Sequence, residues 1–275
     1  MLINENQISL MQGRLTKPLY KPIQEFPVYG WREELDKILD LKLNKIEWIV
    51  DKLSYETNPL LHNNRDTENN LSKKNIEISA ISNDYFLDLS NSFDNILFSN
   101  IYESIVQQEE LVYKLGEFKK YILVMPFIEN ATLKNLTPKE IEKIFDKLLN
   151  FESNNDLFFA LELDIDFNDT ITKLGDYLGN NIFINLDTGN TVSYGFNIFQ
   201  EIEQLSSFII NVHLKDRKVN GPTVPLGMGD ANINEIIRSL KKIGYSSNYT
   251  LQFSRNYSDD VKSIKEYLKN ILSYD

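Results

Sequence analysis

Cysteine is absent from all 275 residues, which excludes disulfides and thiolate metal sites outright. Histidine is nearly absent, with only His62 and His213. Cationic side chains are outnumbered, 29 Lys and Arg against 40 Asp and Glu, for a net charge of -11. A nucleic-acid backbone needs a dense cationic surface, so nucleic acid is not an expected partner. No apolar run is long enough to span a bilayer, and Met1 to Asn6 lacks the basic-then-apolar order of a secretion signal. The expected compartment is the cytoplasm, with no membrane partner. There is no G-x-G-x-x-G phosphate turn, and no Pro/Gly-rich linker divides the chain.

What is present is alternation. Short apolar runs that read as strands fall at residues 8–11, 45–50, 76–81, 121–125, 157–163, 182–186, 208–214 and 249–253. Apolar residues at helical spacing lie between them: Trp31 to Leu41, a long stripe over Ile101 to Leu115, then 169–178, 197–205 and 233–243, with a closing helix carrying Val261 to Ile271. Residues 51–71 read as a loop with a short helix. Thr137-Pro138-Lys139-Glu140 supplies an N-cap, a first-turn proline and a capping-box Glu, and Ile141, Ile144, Phe145, Leu148 and Leu149 form the buried face that follows. Eight strand-helix units at this length predict one domain over 1–275, an α/β (β/α)₈ TIM barrel with eight parallel strands. An open doubly wound sheet is the competitor, and the missing glycine turn argues against it.

The stretch Asn211-Val212-His213-Leu214-Lys215-Asp216-Arg217 organises the functional reading. If Ile210, Val212 and Leu214 point one way, Asn211, His213 and Lys215 point the other. A strand covered on both faces is normally apolar throughout. In a barrel the chemistry sits at the C-terminal strand ends, and polar residues recur there: Glu47, Glu162, Asp187, His213 and Gln252. Two carboxylates and an imidazole cannot share a desolvated space unless protons or a cation balance them. A divalent metal held by Glu162, Asp187 and His213 does this most simply; Mn²⁺, Mg²⁺, Co²⁺, Fe²⁺ and Zn²⁺ all suit such ligands.

Met11-Gln12-Gly13-Arg14-Leu15, Ile46-Glu47-Trp48, Ala160-Leu161-Glu162, Leu186-Asp187-Thr188-Gly189-Asn190, His213 to Arg217 and Gly227-Met228-Gly229 occur in this order. The set resembles the xylose-isomerase-like TIM-barrel family of sugar and sugar-phosphate isomerases and epimerases, which also includes endonuclease IV. The resemblance implies one divalent metal on Glu162, Asp187 and His213, with a Glu at the eighth strand. Here that position is Gln252, a neutral oxygen ligand that takes no proton. Asn190 stands where many members place a substrate-binding His.

The expected reaction is isomerisation or epimerisation of a sugar or sugar phosphate through an enediolate, with Glu162 as base and the metal stabilising developing charge. Gln252 favours a proton shift along one face, hence isomerisation; Glu47 as a second base would reverse that. Arg14, Asn190, Lys215, Arg217 and Arg255 are the expected substrate-binding residues, the basic ones suiting a phosphate or other anion. Gly227-Met228-Gly229-Asp230 reads as a loop turn or a weak anion cradle. Phe26-Pro27 and Tyr85-Phe86 read equally as pocket lining or core cover, Trp31 and Trp48 as core, and His62 as an exposed loop residue. Two other classes stay open: a metal-dependent dehydratase or lyase, and a non-catalytic sugar-binding barrel. Endonuclease IV builds a trinuclear zinc cluster on several histidines, which this chain lacks. The particular sugar, the metal and the oligomeric state are not readable.

Overall fold

A computed structural model describes residues 3–19, 24–62, 64–92, 96–115, 120–151, 156–254 and 260–272. The strands are β1 (Ile8–Met11), β2 (Lys45–Val50), β3 (Glu77–Asn83), β4 (Lys120–Phe127), β5 (Asp156–Leu163), β6 (Ile182–Asp187), β7 (Ile209–Leu214), β8 (Asp216–Arg217), β9 (Thr223–Val224) and β10 (Asn248–Leu251). Eight of them close a parallel barrel in the order β1-β10-β7-β6-β5-β4-β3-β2, while β8 and β9 form a small antiparallel pair. This is the expected TIM barrel. Its last strand stops at Leu251, short of the expected Phe253.

The helices are α1 (Trp31–Asp40), α2 (Pro59–His62), α3 (Asn64–Lys74), α4 (Asp84–Ser90), α5 (Leu97–Val106), α6 (Gln108–Leu115), α7 (Pro138–Leu149), α8 (Phe167–Leu174), α9 (Thr188–Ser193), α10 (Ile198–Gln204), α11 (Ile233–Lys242) and α12 (Asp260–Leu272). The single long stripe expected over 101–115 is two helices meeting at Gln107, which caps α5. The 51–71 segment holds two helices rather than one, and α4 and α9 were not expected. On α7 the Thr137–Glu140 capping box forms, and Ile141, Ile144, Phe145 and Leu148 are buried while Leu149 is exposed. Among the described residues no helix is long and apolar enough to cross a membrane.

Two register shifts tune the barrel interior. Between β6 and β7 the pairing jumps from Ile184/Ile209 to Asn185/Asn211, and between β2 and β3 from Ile46/Ile78 to Glu47/Ala80. Each leaves one residue, Ile210 or Ser79, opposite no partner, as a β-bulge does. Ala80, Val124 and Ala160 pack together with Ile122 and Ile210 in a small apolar cluster of their own. The barrel strands also bury polar side chains: Glu47, Asn185, Asn211, His213 and Thr250.

Candidate active site

β2 and β7 are not neighbours in the sheet, so a contact between Glu47 and His213 can only run through the barrel interior. His213 Nε2 lies 2.8 Å from Glu47 Oε1. The other Glu47 oxygen accepts from Thr250 Oγ1 at 2.6 Å and Asn211 Nδ2 at 3.1 Å. Asn211 Nδ2 also donates to Asn185 Oδ1 at 3.0 Å, and Asn185 Nδ2 lies 3.1 Å from His213 Nδ1. These hydrogen bonds hold Glu47, Asn211 and Asn185 in the interior.

The opposite nitrogen of the imidazole faces two carboxylates. His213 Nδ1 is 3.5 Å from Glu162 Oε2 and 4.0 Å from Asp187 Oδ2. Asp187 and His213 are paired residues on adjacent strands. One donor atom from each of Glu162, Asp187 and His213 falls within 4.8 Å of the others, and all three residues are buried. The cluster tests well as a metal site. Its donors are two hard oxygens and an imidazole nitrogen, and the far imidazole nitrogen is held by a carboxylate, the arrangement that orients ligating histidines. Gln252 is buried, and its Oε1 meets no hydrogen-bond partner among the described residues.

Electrostatics reflect the crowding. Burial disfavours a charged His213, but Glu47 first and then Glu162 outweigh it and raise its pKa from 6.5 to about 10. Burial pushes Glu47 up, and His213 more than cancels that, leaving its carboxyl below the usual range. Lys215 Nζ lies 3.0 Å from Asp187 Oδ2.

Above the cluster opens a cavity of about 320 Å³ whose walls include Glu162, Asn190, Lys215, Arg217, Gln252 and Asp84. Asn190 Nδ2 donates to Glu162 Oε1 at 2.5 Å, and Arg217 Nη1 donates to Asn190 Oδ1 at 2.8 Å. Arg217 is further fixed by Nε and Nη2 donating to Gly221 O at 3.1 and 2.9 Å. Asp187 ends β6 and caps α9 by accepting from Asn190 N at 2.8 Å. Gly189, in that turn, must be glycine: a Cβ there would stand 2.8 Å from Lys215 Cγ and 3.1 Å from Lys215 Cβ.

Several expected placements change. Glu47 does not line the cavity; it lies behind His213 with both oxygens engaged. Arg14 is fully buried and not on the cavity wall; its Nη2 is 3.5 Å from Gln24 Oε1. Arg255 lies outside the described residues. The Gly227–Asp230 loop is not an anion cradle, because its amides are already used: Asp216 accepts from Gly227 N and Gly229 N at 2.8 Å each and from Ala231 N at 3.1 Å. Phe26 packs on Trp48 and Phe86 on Phe127 in the core, while Tyr85 stacks on Tyr55. The aromatic on the cavity wall is Tyr194. His62 is exposed on α2. Sequence reasoning missed Asn185, Thr250, Gln24, Ser82 and Asp84. Strand alternation could have found Asn185 and Thr250, each two residues before a named strand-end residue.

The sequence model described as "Xylose isomerase-like TIM barrel" matches residues 35–271. The chain belongs to the xylose isomerase-like TIM-barrel family. No curated protein sequence gives a match. Solved structures similar in fold include a xylose isomerase domain protein from Planctomyces limnophilus, with 16% identity, TM-score 0.72 and 96% of each chain covered. A D-allulose 3-epimerase from Methylomonas sp. in complex with D-allulose has 13% identity and TM-score 0.68, over 98% of this chain and 97% of that one. A xylose isomerase-like protein from Mycobacterium smegmatis in complex with magnesium has 16% identity and TM-score 0.61, over 91% and 90%. At these identities the likeness is one of fold. The family and the cluster together support an enzyme.

Proposed function

We propose that this family member is a divalent-metal-dependent isomerase or epimerase of a sugar or sugar phosphate, working through an enediolate. The observation that carries this reading is the convergence of Glu162, Asp187 and His213 in one buried cluster, of which Glu162 lines the cavity. Glu162, Asp187, His213 Nδ1 and Gln252 Oε1 would hold the ion. When bound, it would polarise a carbonyl and neutralise charge developing on the adjacent oxygens. Magnesium in the mycobacterial relative and allulose in the Methylomonas one are consistent with this.

Glu162 takes the proton next to the carbonyl and returns it to the neighbouring carbon. Asn190 Nδ2 on its Oε1 fixes the direction of that carboxylate. Glu47 acts through His213, holding the ring so that Nδ1 faces the cavity. With Glu47 so engaged, one-face isomerisation is the form that Glu162 alone supports. Lys215 and Arg217 line the cavity and suit an anionic or hydroxyl-rich end of a substrate.

The test is a metal-reloading assay. Chelator-treated protein reconstituted with Mn²⁺, Mg²⁺, Co²⁺ or Zn²⁺ is offered free and phosphorylated ketoses and aldoses in D₂O. Metal-dependent incorporation of deuterium next to the carbonyl is expected. A metal-loaded protein that binds sugar yet neither exchanges hydrogen nor interconverts ketose and aldose is instead a sugar-binding barrel.

A further inference from the structure

Gln24, a residue of the loop after β1, sits between two groups that fix its orientation from opposite sides. Its Nε2 donates to both oxygens of Asp84, at 2.9 and 3.0 Å, and lies 3.2 Å from Ser82 Oγ. Its Oε1 accepts from Arg14 Nη2 at 3.5 Å and from Gln252 Nε2 at 2.7 Å. A carboxylate only accepts and a guanidinium only donates. Turning the Gln24 amide over would set its oxygen against Asp84 and its NH₂ against Arg14. Gln24 therefore presents oxygen to Gln252, and Gln252 must answer with its NH₂. That leaves Gln252 Oε1 as the arm with no partner, buried at the edge of the cavity that Glu162 also lines.

We propose that Asp84 is a positioning residue for the metal site: through Gln24 it holds the Gln252 amide with its oxygen toward the ion. The proposal rests on the metal reading above. A Glu at 252 would need no such device, because both its arms are oxygens. The neutral amide does, since the wrong rotamer offers the cation an NH₂. Asp84 thus supplies remotely the fixed oxygen ligand that a carboxylate at this position would offer by itself.

The experiment is a double-mutant cycle read by Mn²⁺ titration of chelator-treated protein, with circular dichroism to verify folding. D84N replaces one acceptor oxygen by NH₂, so the Gln24 and Gln252 amides can invert. It is expected to weaken Mn²⁺ binding about tenfold, the low end for groups that orient a ligand. Gln24→Ala cuts the chain at its middle and should match it. In a Q252E background, D84N should leave Mn²⁺ affinity unchanged or tighten it. Equal weakening by D84N in both backgrounds, or none with Gln252 present, overturns the relay while sparing the metal site. Failure of the unmutated protein to bind Mn²⁺ or Zn²⁺ removes both together.

Discussion

Glu162 has one oxygen beside His213 Nδ1 and the other in the grip of Asn190, so Glu162→Gln removes both a ligand charge and the base. Turnover should fall by at least about 10³-fold, the middle of the ordinary range for an acid–base group, and weaker metal binding adds to the loss. The barrel should stay folded, because an amide keeps the side-chain volume. Steady-state kinetics beside a melting curve separate the two effects; undiminished turnover would refute Glu162 as base.

His213 gives the site a pH signature. Its neighbouring carboxylates raise its pKa in the folded, metal-free protein from the usual 6.5 to about 10. A raised cationic pKa contributes stability that is complete below about pH 6.5 and fades as pH rises through about 10. Metal-free protein should therefore melt at lower temperature at pH 10 than at pH 7. Ligation through Nδ1 needs that proton gone, so metal uptake near pH 7.5 should release it. Calorimetry in buffers of different ionisation enthalpy would report this; a buffer-independent enthalpy contradicts it. Glu47→Gln should abolish most of the pH effect and weaken metal about 10- to 100-fold.

At the scale of elements, the loop after β9 hangs on one buried carboxylate. Asp216 takes three backbone amides, from Gly227, Gly229 and Ala231. A Cβ at Gly229 would stand 1.9 Å from Asp216 Oδ1, so the glycine is dictated by the approach of that oxygen. Asp216→Ala leaves buried donors unsatisfied and should cost about 1–3 kcal/mol, with the 225–231 loop becoming the first site of proteolytic nicking. Loss of stability without such nicking would place the damage elsewhere. Elements with strong periodicity, such as α7, were legible from the sequence, because capping and apolar spacing agree there. The helices at Asp84 and Thr188 were not, since each starts at the residue right after a strand, with no loop between to mark a new element. Gln24 could not be found from sequence either: its partners Gln252 and Asp84 are 228 and 60 residues away.

For the whole molecule, eight strand-helix units and the absence of a glycine phosphate turn were enough to predict a closed barrel, and it closes. Polar residues at strand ends gave Glu162, Asp187 and His213. Position at a strand end did not separate Glu47 from them, because what sets it apart is its partners: its oxygens are taken by His213, Thr250 and Asn211. Those partners are set by register, including the shift at Ile46/Glu47, and register is not visible in one strand's sequence. An ion on ligands from three strands should stabilise the entire barrel. At a hundredfold excess over Kd the gain is about 2.7 kcal/mol, or several degrees in Tm. A thermal scan with and without Mn²⁺ measures it, and an unchanged midpoint argues against metal on the folded state. Among the described residues the cations that reach the cavity are Lys215 and Arg217; equal affinity for a ketose and its phosphate would remove an anion-binding role from them.

Asp187 belongs at once to the ion cluster, to the end of β6 and to the first turn of α9, through the amide of Asn190. Filling or emptying the cluster therefore pulls on a backbone proton that a spectrometer can follow. The exchange rate of that single amide would serve as an occupancy gauge, readable without knowing the sugar.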